Sequence, residues 1–346
     1  MQALVWTGPR QMEMQELPAP EPPAGEVRLR VAAVGICGSD LSGYIGQNSL
    51  RVPPLVMGHE IAGTIDVGGA GTPVLASGEA ARIGQRVAVN PLISCGVCDL
   101  CQAGRQNLCR RRQIVGINRP GGLAGFVSVP AAQCHAVPAH LSDAEAALAE
   151  PLACGIRAFT QTHLKPGEPL LILGAGSIGL LCLVAARGGG AGPIMITDTS
   201  EERLRVASQL GATETVRADQ DDVAAAVQAF TGGLGAGAAV DAVGLDSTRA
   251  QAVRAVRPGG RVVFIGLHHE TSELEANYLV RQEIEVTGAF AYLPEEFGRA
   301  LALLGKGALP GGAGWVSQRD LREGAEVFAD LVAGRGGYVK VALKPV

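Results

Sequence analysis

The chain has 346 residues, a formal net charge of −4, 48 glycines and only 4% aromatic residues. That length supports two domains with cores of their own, and glycine-rich, aromatic-poor composition suits an α/β protein with many tight turns. The only basic block is Arg110-Arg111-Arg112 and no long uncharged apolar span exists, so neither nucleic-acid binding nor a membrane helix has support.

Met1-Gln2-Ala3-Leu4-Val5-Trp6 begins like a strand and lacks the charged and apolar regions of a secretory signal. Eight cysteines without such a signal favour a reducing, cytoplasmic setting and metal binding over disulfides. Residues 1 to about 150 read as short strands separated by Gly/Pro turns, among them Val27–Val31 and Arg86–Val89, which predicts a small β-rich, barrel-like domain.

Within it, Gly35-Ile36-Cys37-Gly38-Ser39-Asp40 and Gly58-His59-Glu60 bring a thiolate, an imidazole and a carboxylate. Such a set binds zinc while leaving a position open for water or substrate. Taken singly, Cys37 is also readable as a buried turn residue and His59-Glu60 as a surface pair. Glu150, in Ala149-Glu150-Pro151, is a further carboxylate at the domain boundary. The stretch from Gly68 to Ala81 reads as a surface loop.

Cys95, Cys98, Cys101 and Cys109 follow the spacing C-x2-C-x2-C-x7-C. Two-residue gaps let neighbouring thiolates converge on one ion, and four thiolates close a tetrahedral zinc shell with no room for substrate, so this site is expected to be structural. An iron–sulfur cluster is the main rival, but the last gap is longer than in bacterial ferredoxins and no Pro follows Cys109. The triple arginine beside Cys109 reads as a solvated loop flanking this lobe. Cys134 and Cys182 lie in apolar surroundings and read as ordinary buried thiols.

From about residue 165 the pattern changes to strand, helix, strand, the signature of a parallel doubly wound sheet. Leu170–Leu173 leads into Gly174-Ala175-Gly176-Ser177-Ile178-Gly179, a G-x-G-x-x-G turn, and then an apolar helix to Ala186. The first Gly permits the turn, the second lets the backbone approach a pyrophosphate, and the third lets helix pack on strand; the helix N-terminus then faces the phosphates. A second strand, Ile194–Thr197, ends at Asp198, where an acidic side chain would bond the ribose hydroxyls and repel a 2′-phosphate, favouring NAD over NADP. A helix N-cap is the alternative role for Asp198, and Ser200 is a plausible N-cap for the helix that follows. A strand at Ala238–Asp241 and a helix over about 247–256 come next. Pro258-Gly259-Gly260 then turns into a strand from Arg261 to Ile265. The tail from about 289 to 346 returns to short mixed elements able to close back on the first domain.

Together these residues strongly resemble the zinc-dependent medium-chain alcohol dehydrogenases, within the sorbitol/polyol branch. The marks are Gly35 to Asp40, Gly58-His59-Glu60, the four-cysteine lobe, Glu150-Pro151-Leu152, the Gly174–Gly179 loop, Val240-Asp241-Ala242-Val243-Gly244 and Arg257-Pro258-Gly259-Gly260, which span nearly the whole chain. The resemblance implies a GroES-like catalytic domain over 1–152 and 289–346 and a Rossmann domain over 153–288. It implies two zinc ions per chain. Cys37, His59 and either Glu60 or Glu150 would hold the catalytic zinc, and Ser39 would begin a proton relay. Gly174, Gly176, Ser177, Ile178, Gly179, Asp198, Arg203, Val243 and Gly266 would contact the cofactor. It implies, too, that zinc acts as a Lewis acid on the substrate oxygen and that hydride passes to the nicotinamide, in a site at the carboxyl ends of the parallel strands.

Three positions are of note against that family. Ser42 and Arg157 stand where relatives often carry His, and Tyr44 lies where an aromatic often lines the pocket, a role no better favoured than that of a packed core Tyr. The expected activity is NAD-dependent oxidation of a secondary alcohol, a polyol or sugar alcohol, because a carboxylate-bearing zinc site suits hydroxyl-rich substrates. A sugar-alcohol phosphate or threonine is the alternative substrate. A non-catalytic nucleotide-binding protein is the remaining reading, and such relatives lack the zinc ligands present here. The partners expected are a small molecule and copies of the same chain, as a homodimer or homotetramer, with neither nucleic acid nor membrane.

Overall fold

Alternating burial along Glu26–Gly35 marks a strand that packs Val27, Leu29 and Val31 to one side, and this strand is the axis of the first unit. In a computed structural model that describes residues 1–345, the chain divides into two compact units. One holds Met1–Glu150, Leu293–Lys306 and the stretch from Gly311; the other holds Pro151–Tyr292 and Gly307–Pro310.

In the first unit, Glu26–Gly35 pairs antiparallel with Glu60–Gly68, Phe126–Pro130 and the C-terminal strand Lys340–Lys344. The sheet continues on one side through Arg86–Val89 to Cys134–Ala136, and on the other to Val316–Asp320, which runs parallel to Lys340–Lys344. The tail thus closes on this unit by strand pairing, which sets Lys340 next to the Gly35 end of the central strand. A small sheet of Gln11–Glu16, Gln2–Gly8 and Leu55–Val56 and a two-stranded ribbon, Leu92–Ile93 with Gln113–Ile114, complete it. Leu4, Leu29, Met57, Ile61, Ile65, Leu123 and Phe328 fill its core.

The second unit is one six-stranded parallel sheet in the order Glu214–Arg217, Ile194–Asp198, Leu170–Leu173, Ala236–Asp241, Val256–Phe264, Glu285–Gly288. Leu170–Leu173 and Ala236–Asp241 are buried at every residue, as strands covered on both faces must be. Strand order reverses on either side of Leu170–Leu173, so its carboxyl end is the switch point where doubly wound sheets bind ligands. One boundary differs from the sequence expectation: the last central strand begins at Val256, not Arg261. Its partner advances from Ala236 to Ala238 while it advances from Val256 to Arg261, so Arg257–Gly260 loops out of the ladder without ending the strand.

Candidate active site and metal centres

The four lobe thiols converge as their spacing predicts. Cys98 Sγ lies 3.5 Å from Cys101 Sγ and 3.9 Å from Cys109 Sγ, and Cys95 Sγ lies 4.0 Å from Cys101 Sγ. Thiolates bound at about 2.3 Å to a tetrahedral zinc stand about 3.8 Å apart, whereas disulfide sulfurs stand about 2.05 Å apart. The backbone amides of Val97 and Cys98, aided by Arg111, bring the Cys95 thiol down to about 6 against the opposing effect of burial, which favours the metal-binding thiolate. Arg110 pairs with Asp99 at the exposed rim, Arg111 meets Cys95, and Arg112 donates to Cys109 O at 3.4 Å, so all three arginines serve the lobe.

A second cluster forms around the strand ends of the same unit. Cys37, His59 and Glu60 each offer a ligand atom within 4.8 Å of the others, two of them buried. Cys37 precedes the short helix Gly38–Tyr44, and Glu60 opens the strand Glu60–Gly68 directly opposite Gly35. Glu60 Oε2 is buried without a hydrogen-bond partner among the described residues, an orphaned acceptor of the kind a cation satisfies. The donor set of one thiolate, one imidazole and one carboxylate fits zinc with a position open, and the lobe fits zinc with none.

Asp40 and Lys340 organise this cluster. Asp40 Oδ2 accepts from the Cys37 amide at 3.1 Å, and Asp40 Oδ1 lies 3.3 Å from His59 Nδ1, leaving Nε2 for the ion. Burial alone would raise Asp40, but His59, Arg51 and the Cys37 amide together hold it well below the usual carboxylate range. Burial works to lower His59, and the Asp40 carboxylate and Cys37 outweigh it, so the metal-free imidazole sits well above its ordinary value. Lys340 Nζ donates to Glu60 Oε1 at 2.6 Å. Burial opposes its charge, while Glu60, Cys37 and Glu150 raise it, so the ammonium persists inside the protein. Glu150 is buried in the first turn of the helix Ala149–Thr162 and acts on Lys340 through its charge, outside the Cys37–His59–Glu60 set.

Ser39 lies in the first turn after Cys37 and its Oγ accepts from Arg51 Nη2 at 3.3 Å. Ser42 Oγ donates back to Gly38 O within the same helix. Tyr44 is a core residue and not a pocket wall: it is 6% exposed, its hydroxyl donates to Arg10 O, and its ring meets Phe328 edge-on at 5.5 Å.

In the second unit the glycine loop sits at the switch point. Gly174 has φ +93°, and a Cβ on Gly179 would lie 1.7 Å from Gly174 O, so the turn and the close helix–strand approach each demand glycine. Gly176 caps the helix Ser177–Gly188, and a Cβ there would meet open space, the approach a pyrophosphate needs. Ile178 follows in that helix's first turn. Asp198 Oδ2 accepts from the Ala175 amide at 2.7 Å and Oδ1 from the Ser200 amide, while Ser200, not Asp198, caps the next helix. Arg203 Nη1 lies 3.8 Å from Asp198 Oδ2. Val243 and Gly266 stack at the ends of the adjoining strands, tied to Asp241 by backbone amides. Arg157 lies in the helix Ala149–Thr162 of the same unit.

Sequence reasoning missed Lys340 and Arg51, which no local motif announces. Asp40 had a local signal, being the acidic N3 partner of the Cys37 capping box.

A family model described as zinc-binding dehydrogenase matches residues 177–306, and one described as alcohol dehydrogenase GroES-like domain matches residues 23–139. The sorbitol dehydrogenase of Bacillus subtilis (strain 168) is 34% identical over 298 residues, 84% of this chain and 82% of the relative. The D-arabitol-phosphate dehydrogenase of Enterococcus avium is 32% identical over 339 residues, 97% of this chain and 95% of the relative. A zinc-binding dehydrogenase of Sinorhizobium meliloti 1021, solved bound to NADP, superposes with a TM-score of 0.90 at 32% identity, covering 99% of each chain.

Proposed function

The chain belongs to the zinc-dependent medium-chain alcohol dehydrogenases, in the polyol branch, and from that premise we propose which residues carry the reaction and on what substrate. The enzyme oxidises a secondary alcohol group of a polyol or sugar alcohol to a ketone. The observation that carries this reading is the gathering of Cys37, His59 and Glu60 in a chain that also holds a closed four-thiolate lobe, with Ser39 two residues after Cys37.

Bound zinc supplies a Lewis acid at the alcohol oxygen and bound NAD supplies the hydride acceptor. Cys37 Sγ, His59 Nε2 and Glu60 would hold the catalytic ion, with Glu60 in preference to Glu150 because Glu60 alone of the two gathers with the other ligands. Asp40 fixes the His59 ring from its far side. Ser39 Oγ takes the alcohol proton. Ser42 is turned onto its own helix, so the proton leaves Ser39 through water. In this reading the first unit carries both zinc ions and the second carries the cofactor, held by the Gly174–Gly179 turn, Asp198, Arg203, Val243 and Gly266. The Sinorhizobium relative was solved with NADP. For this chain the choice of NAD rests on Asp198, whose carboxylate repels a 2′-phosphate. A homodimer or homotetramer and residence in the cytoplasm belong to the same proposal.

A sugar-alcohol phosphate is the second reading, favoured by the near-complete coverage of the arabitol-phosphate relative. The test is NADH formation across tetritols, pentitols, hexitols, their phosphates and threonine. Highest kcat/KM on a free polyol supports the first reading, on a phosphate the second, and turnover of threonine alone rejects both.

A further inference from the structure

Arg51 is a cation sealed inside the protein with little to justify it energetically. Its side chain is 0% exposed. Only Nη2 finds partners, while Nε and Nη1 are buried with none among the described residues. Buried unmet donors are costly, and an apolar side chain of the same size would cost less there. The fold nevertheless makes room for it: a Cβ on Gly43 would lie 2.4 Å from Arg51 Cδ, so the helix Gly38–Tyr44 carries a glycine where the guanidinium stem passes.

What Nη2 does with its two hydrogens is specific. It donates to Asp40 Oδ1 at 2.8 Å and to Ser39 Oγ at 3.3 Å. Asp40 Oδ2 accepts from the Cys37 amide, and Asp40 Oδ1 lies 3.3 Å from His59 Nδ1, within ion-pair reach though not in hydrogen-bond geometry. One nitrogen therefore touches both halves of the site, the carboxylate that aims a metal-binding imidazole and the hydroxyl placed to receive the alcohol proton. A serine hydroxyl has two acceptor lone pairs and one hydrogen. With one lone pair held by Arg51, the other lone pair and the hydrogen have fixed directions. Groups beyond the ligand shell that fix a metal-binding His usually matter about 10- to 100-fold in metal affinity or activity.

We propose that Arg51 is a positioning residue, which through a single guanidinium nitrogen sets both the Asp40–His59 arm of the metal site and the orientation of the Ser39 hydroxyl. The Ser39 half rests on the dehydrogenase reading above; the His59 half does not.

The test compares Arg51→Met and Arg51→Lys with the parent in the full chain, zinc-loaded for kinetics and cobalt-substituted for spectroscopy. Lobe cobalt is common to all three proteins, so difference spectra report the Cys37–His59–Glu60 site. Arg51→Met is expected to shift the cobalt d–d bands, weaken metal binding at that site about 10- to 100-fold in chelator competition, and lower kcat with a KM change under about threefold. Arg51→Lys, which keeps the charge but not the fork, is expected to recover part of each. In a Ser39→Ala background the kcat loss from Arg51→Met shrinks, because the two residues act as one unit. Unchanged bands and metal affinity in Arg51→Met overturn the proposal; if that variant does not fold, unchanged bands in Arg51→Lys do so. Should the parent oxidise no alcohol at all, the dehydrogenase reading fails while the cobalt spectra still decide the role of Arg51.

Discussion

Lys340 and Glu60 stand 280 positions apart in sequence, yet Lys340 Nζ lies 2.6 Å from Glu60 Oε1, with both side chains at most 2% exposed. Lys340 also donates to Ile36 O at 2.8 Å, which ties the last strand to the residue before Cys37. A buried ion pair of this kind is weak evidence for stability, since an apolar pair of like volume often does as well. Its place beside a carboxylate proposed to hold the catalytic ion gives it a better reason: it neutralises Glu60 and leaves Oε2 as the oxygen without a hydrogen-bond partner among the described residues.

Lys340→Met should therefore leave Glu60 as an uncompensated buried charge whenever the ion is missing. A loss of about 3–5 kcal/mol is expected in metal-free protein, with part of it restored by zinc. Urea unfolding of parent and variant, each with and without chelator, reads this as a difference of differences. An equal loss in both conditions would show that Lys340 and the metal do not share Glu60.

The other oxygen of Glu60 explains a glycine. A Cβ on Gly35 would lie 1.9 Å from Glu60 Oε2 and 2.9 Å from its Cδ, because the two residues face each other across the sheet. Gly35→Ala should push the carboxylate away from Cys37 and His59. Overpacking of this size costs about 1–3 kcal/mol, and displacement of the ligand should leave one firmly held zinc per chain, in the lobe. Metal analysis after dialysis checks it. Two retained zinc ions with full activity would show that Glu60 is not a ligand.

The sequence revealed what is local. Four cysteines, Gly58-His59-Glu60 and Gly174–Gly179 are legible because ligand and phosphate chemistry impose short spacings. Asp198 is legible because it ends the strand that follows the glycine turn. Lys340 and Arg51 were not, since a charged residue isolated in sequence carries no period or spacing that distinguishes a buried partner from a solvated surface. Tyr44 is a case the sequence leaves undecided: its position suits a pocket wall and a packed core residue equally, and its ring contact with Phe328 and its hydroxyl bond to Arg10 O are features that only the tertiary packing reveals.

His135 gives the fold a pH dependence of its own. It sits on the strand Cys134–Ala136 with its ring 4.7 Å from that of Phe297, and burial lowers it from 6.5 to about 4. The unfolded chain thus binds a proton between those values that the folded chain refuses. Stability from this residue is fully present above pH 6.5 and is lost as pH falls towards 4. The loss is up to about 3 kcal/mol at one pKa unit per 1.4 kcal/mol. His135→Phe should flatten that part of the stability profile, measured as denaturation midpoints across the window; a slope equal to the parent's would assign the acid sensitivity elsewhere.

Asp198 has one task in the glycine turn and a second in the proposed cofactor site, and substitutions separate them. Its Oδ2 pins the Ala175 amide inside the glycine turn, and its negative charge disfavours a 2′-phosphate. Asp198→Asn keeps an acceptor but removes the charge, so it should raise the KM for NAD and narrow the gap to NADP with little loss of stability. Asp198→Ala should do the same to the KM ratio and cost a further 1–3 kcal/mol or so, because the Ala175 amide is left buried without an acceptor. Arg203, 3.8 Å from Asp198 and half exposed, then remains to meet a 2′-phosphate, so NADP should gain more than NAD loses only while Arg203 is present. Initial rates with both cofactors for Asp198→Asn, alone and with Arg203→Ala, decide the matter. An unchanged KM ratio in Asp198→Asn would mean that the carboxylate serves the turn alone and that cofactor choice is made by other contacts.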